Sequence, residues 1–79
     1  MNDAFSTLSL PAAIRAQASQ LLAAIKGASG LAELLREAGR AEGFVLGIET
    51  VHALGAIDVE NLYAVIESAA QKRHAELSE

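Results

Sequence analysis

Apolar residues recur at helical spacing in three successive runs, and only two short glycine-bearing joints separate them. In the first run Ile14, Ala18, Leu21, Leu22 and Ile25 fall at i, i+4, i+7, i+8 and i+11, while Arg15, Gln17, Gln20 and Lys26 lie mostly off that stripe. This is the pattern of an amphipathic helix with one face turned to a core. Pro11 suits a first helical turn, where its missing N–H would have no partner anyway, and Ser9 is expected to cap it. "KGASG" stops the run, with Gly27 at the position where a left-handed residue commonly closes a helix.

The second run opens after Ser29, a candidate cap, with Leu31, Leu34 and Leu35. Its polar side carries Glu33, Arg36, Glu37 and Arg40, spaced so that Glu33 can pair with Arg36 and Glu37 with Arg40. From Phe44 the polar side thins, and "FVLGIETVHAL" retains polar groups only at Glu49, Thr50 and His52. Phe, Val, Ile and Thr are also strand formers, so "FVLGIETV" admits a strand reading. A helix is expected instead, because nothing else in the chain offers a partner strand to satisfy its backbone.

Gly55 breaks the pattern and Asp58 is a candidate N-cap for the third run. Val59, Leu62, Ile66, Ala69, Ala70 and Leu77 form its apolar stripe, and Lys72, Arg73 and His74 sit near the end where the helix dipole favours cations. Short joints imply antiparallel neighbours. The sequence therefore predicts an all-α fold: a three-helix up-down-up unit with helices over about 9–26, 30–54 and 58–77, preceded by a flexible arm at 1–8 whose Phe5 and Leu8 can dock.

A core drawn from 79 residues supplies only a few kcal/mol beyond the entropy of ordering the chain. Against that margin, Gly39, Gly43 and Gly47 stand four apart inside the second helix. Each glycine costs about 1 kcal/mol relative to alanine in a helix interior, so the three together forfeit roughly 3 kcal/mol. Close approach of another helix to a ridge without side chains offsets such a loss, and the steric argument holds in water as well as in lipid. Two occupants of that groove fit the sequence. One is the alanine-rich first helix, through Ala12, Ala16, Ala23 and Ala24; the other is the second helix of another copy, because a single three-helix unit has difficulty covering both the ridge and the Phe44, Val45, Ile48, Val51 sector. A break near Gly39 or Gly43, giving two shorter helices, is the third option. The expected contact residues are Gly39, Gly43, Gly47, Phe44, Ile48 and Val51, and the expected assembly is a homodimer.

Residues for chemistry are few. There is no cysteine, so disulfides and thiolate metal sites are excluded, which fits a reducing, cytoplasmic compartment. "GASG" lacks the lysine of a phosphate loop and follows no strand, and no Gly-x-Ser-x-Gly turn is present, so neither an enzyme nor a bound cofactor is expected. Glu49 and His52 form a Glu-x-x-His pair, which resembles the ligand pair of ferritin-like carboxylate-bridged metal proteins. That family uses two such pairs and two further glutamates, which a dimer could supply with Glu60 or Glu67. A histidine hydrogen-bonded near a joint is the simpler reading of the same residues, and His74 is expected to be solvated.

Six basic residues against ten acidic ones, with only "QKR" clustered, make direct nucleic-acid binding an unpromising role. The spacing around Gly55 and Gly43 does not fit a helix-turn-helix, and the third helix begins with acidic rather than basic residues. No apolar run is long enough to span a bilayer, no helix has the basic polar face of a membrane-surface helix, and the start lacks the basic region of a secretory signal. Residues 31–79 carry most of the negative charge, which suits a protein partner with a basic surface. The function expected is that of a small non-catalytic helical interaction module or regulator, with a metal-binding helical dimer as the alternative.

Overall fold

A computed structural model describes Phe5 and residues 8–79. Three helices follow one another, α1 (Ala12–Lys26), α2 (Leu31–Thr50) and α3 (Ala56–Leu77), with no strand among the described residues. The segment "FVLGIETV" is helical through Thr50, and α2 runs unbroken through Gly39 and Gly43. The strand and broken-helix readings are both overturned. Ridge glycines weaken a helix without ending it when the residues between them, here Ala41 and Val45, are anchored in a core.

That core is contributed by one stripe from each helix. Ala18, Leu21, Leu22 and Ile25 of α1 meet Leu34, Ala41, Val45 and Ile48 of α2 and Val59, Leu62 and Ile66 of α3. Burial of apolar surface is the main favourable term. Tyr63 lies beside Glu49, and Leu34 and Leu35 line a groove with Ala70 and His74, so α2 and α3 run antiparallel. Leu22 and Lys26 share a groove with Ala64, Val65 and Lys72, rising together, so α1 and α3 run parallel. The arrangement is up-down-up.

The arm is not free where it is described. Phe5 is fully buried and Leu8 nearly so, and Arg15 of α1 donates from its guanidinium to the carbonyls of Phe5 (2.9 Å) and Leu8 (2.7 Å). The rest of the stretch 1–8 lies outside the described residues. An apolar ring that covers the open side of a small bundle explains the docking, and the guanidinium satisfies carbonyls that no helix ladder reaches.

All three helix starts differ from expectation. Pro11, Gly30 and Gly55 occupy the N-cap positions, and no side chain caps any of them. Ser9 lies outside α1, the Ser29 hydroxyl donates to the Glu33 carboxylate at 3.1 Å, and Asp58 sits within the first turn of α3. Gly30 and Gly55 take extended backbone, from which the chain enters a helix directly. Gly27 is right-handed at φ −94.

The end of α2 carries the one left-handed non-glycine residue among those described, His52 at φ 57. Its N–H donates to the Glu49 carbonyl (3.1 Å) and the Ala53 N–H to the Ile48 carbonyl (3.0 Å). This pair of bonds closes the last turn in the way a left-handed C-terminal glycine usually does. The helix therefore stops at Thr50 rather than near residue 54. Val51 falls beyond it and is 72 % exposed, outside the apolar sector expected to hold it.

Candidate functional site

The outer face of α2 is where the structure leaves its unused apolar surface. Gly39, Gly43 and Gly47 are all exposed, and a methyl group built on any of them meets nothing within 4 Å. The reading in which α1 fills the groove is thereby overturned: α1 packs against the opposite side of α2, where Ala41, Val45 and Ile48 point, because burying those larger side chains yields more than covering bare backbone. Ile48 belongs to that inner stripe and Phe44 is half-buried at its edge, so of the expected contact residues the three glycines alone lie open on the helix.

Large apolar side chains accompany them. Leu35 is 64 % and Leu46 55 % exposed, and Leu31 also stands out from the helix. At about 100° per residue, Leu35 and Leu46 lie within about 40° of Gly39 around the helix. Ala32 and Thr50 complete the same stripe, and the Thr50 hydroxyl turns back to donate to the Leu46 carbonyl at 2.7 Å. The stripe is thus apolar along the length of α2, with a hollow at Gly39 and Gly43, a leucine on either side of it along the helix, and Gly47 beyond Leu46. The signal in the sequence was a second apolar period, Leu35, Gly39 and Leu46, running alongside the core period.

Polar groups border the stripe. Arg40 is held by Glu37 at 2.6 Å, whereas Glu33 takes the Ser29 hydroxyl in place of the expected Arg36. Arg36 and Glu42 are exposed and make no hydrogen bond or ion pair among the described residues.

Glu49 and His52 line one groove together with Glu60, but they do not share a face of one continuous helix. That spacing places two side chains on one helix face only if the helix continues, and here it ends between them. The His52 ring reaches only the Thr50 carbonyl, with Nδ1 at 3.3 Å, and both side chains are exposed. Glu49 accepts from the Tyr63 hydroxyl at 3.5 Å, on the wall of that same groove. Partial burial, then the charge of Glu49 and its hydrogen bond, hold the proton on Tyr63 above its usual range. No group of three His, Cys, Asp or Glu side chains is placed to hold a metal ion among the described residues. Glu67 is exposed on α3, and His74 is exposed as expected.

No helix is long and apolar enough to cross a membrane among the described residues. No family model, no curated protein and no solved structure matches the chain.

Proposed function

We propose that this chain is a small non-catalytic interaction module that assembles as a homodimer through the outer face of α2. The observation that carries the reading is the open pair Gly39 and Gly43 set between exposed Leu35 and Leu46, with Gly47 open just beyond them. Three glycines in an interior with nothing near them are a loss of roughly 3 kcal/mol that the protomer does not recover. Against a stability of about 4 to 12 kcal/mol for a domain of this size, the loss is substantial. A second α2 laid along the ridge recovers it by close backbone approach and by burying leucines that now face water.

A second copy is the occupant favoured here because the open glycines and exposed leucines share one side of a single 20-residue helix, and a two-fold interface pairs one patch with itself. The dimer presents two α3 helices, whose Glu60 and Glu67 are exposed and offer complementary charge to a further partner with a basic surface.

Sedimentation equilibrium tests the reading on the wild-type chain and on Leu46→Asp. Leu46 is exposed in the protomer, so the variant keeps its helical circular dichroism. The expected result is a dimer for the wild type and a monomer for the variant. A wild type that stays monomeric up to the millimolar range, or a variant that dimerises equally well, overturns the proposal.

A further inference from the structure

We infer that the groove between α1 and α3 is the docking site of an acidic amphipathic helix, which lies in it as the fourth helix of the bundle. The groove shares no residue with the outer face of α2, so the inference stands apart from the homodimer. It is open to solvent and holds about 420 Å³, with Leu22 as its wall on α1 and Ala64, Val65 and Ala69 as its wall on α3. Of the described residues, Lys26 and Lys72 are the only charged ones that line it. Past the lysines it runs on into a smaller hollow, where Arg73 and Glu76 are paired with each other at 3.1 Å.

Cations are scarce in this chain, six against ten acidic residues, and half of them are engaged. Arg15 donates to the carbonyls of Phe5 and Leu8, Arg40 to Glu37, and Arg73 to Ala28 and Glu76. Lys26 and Lys72 are exposed and make no hydrogen bond or ion pair among the described residues. The helix dipole accounts for a cation at Lys26, in the last turn of α1. No helix end accounts for Lys72, which stands more than a turn before the end of α3 and lines the same groove.

Two unpaired ammonium groups at the mouth of an apolar groove fit an anionic occupant with an apolar side. The openness of the groove decides its shape. A free acyl chain binds where walls enclose most of its surface, whereas this groove is open on one side along about 18 Å of α3, from Ala64 to Glu76. A helix needs only one face buried and keeps the other in water. Leucines on the buried face meet Leu22 and Val65, and acidic residues at its edges reach the two ammonium groups, whose stems cover apolar surface while the charges stay hydrated.

Chemical-shift mapping with two synthetic peptides tests the inference. One is an alanine-based helix with leucines on one face and glutamates along both edges of that face; its twin has lysines in place of the glutamates. The glutamate peptide should move the amide signals of Leu22, Lys26, Val65 and Lys72, and the twin should bind at least about tenfold more weakly. In K26E/K72E both substitutions fall on exposed side chains, so the helical circular dichroism should persist while the preference between the peptides reverses. A glutamate peptide that fails to bind at millimolar concentration, twins that bind alike, an unchanged preference in the double variant, or shifts confined to Leu35 and Leu46 would each overturn the inference. Dodecanoate that saturates the groove where the glutamate peptide does not overturns it too, in favour of an acyl-chain site.

Discussion

Arg73 reaches from α3 to the joint between α1 and α2, where its Nε donates to the carbonyl of Ala28 at 2.8 Å. Ala28 is fully buried, so this bond satisfies backbone that the joint cannot pair, and it fastens the far end of α3 to the rest of the bundle. Arg73→Ala is expected to lower stability by about 1 to 2 kcal/mol, below the upper range for a charged donor because the side chain is 26 % exposed. Its second contact, to Glu76 at 3.1 Å, is a surface pair, and Glu76→Ala should change stability by no more than about 0.5 kcal/mol. Urea denaturation of the two variants distinguishes the contacts. Equal effects would mean that the Ala28 bond contributes nothing.

His52 holds a left-handed backbone at the end of α2 without the freedom of glycine. His52→Gly removes the strain while keeping both closing bonds, and should raise stability by roughly 0.5 to 1 kcal/mol after allowing for the looser unfolded chain. His52→Val should lower it, since a β-branched residue fits that backbone worst. Thermal melts of both variants check the prediction. A less stable glycine variant would mean that the imidazole itself contributes to the joint.

Phe5 is the largest of the fully buried side chains, although it precedes the first helix. Phe5→Ala should cost about 3 to 5 kcal/mol, which for a domain of this size lowers the melting temperature by at least about 12 °C. Arg15→Ala, which releases the carbonyls of Phe5 and Leu8, should have the same direction and a smaller effect. A Phe5→Ala variant that melts with the wild type would remove the arm from the core.

Tyr63 is the sole tyrosine in a chain without tryptophan, so its ultraviolet titration reads one group. Its midpoint should lie above the usual value near 10. Because the folded-state value is raised, the associated stability is present in full below the unfolded pKa and is lost as pH rises through the folded one. Glu49→Gln removes the neighbouring charge and should move the midpoint down. A midpoint unchanged by that substitution would separate Tyr63 from Glu49.

The helices were legible because Ala18, Leu21, Leu22 and Ile25, and likewise Val59, Leu62 and Ile66, recur at the helical period and are the residues buried. The caps were not, because Ser9, Ser29 and Asp58 have capping chemistry, yet Gly30 and Gly55 let the backbone turn into a helix without it. The stop at Thr50 was hidden because His52 does what glycine ordinarily does there. This also took Glu49 and His52 off a shared helix face, although both still line one groove with Glu60. The candidate face was half visible: the glycine ridge is plain in the sequence, whereas nothing in the spacing tells which leucines of α2 face away from the core, so Leu35 and Leu46 were not singled out.

The central claim is that α2 is weak alone along its glycines and is repaired by contact, and Gly43→Leu tests it by two readings on one variant. At dilution low enough to keep protomers apart, the leucine meets open space and should stabilise the fold by somewhat under about 1 kcal/mol. At high concentration the same side chain should hold the second helix away and reduce the protein to a monomer in sedimentation equilibrium. A variant that gains stability and still dimerises as the wild type does would contradict the account, because the ridge would then have no helix to receive.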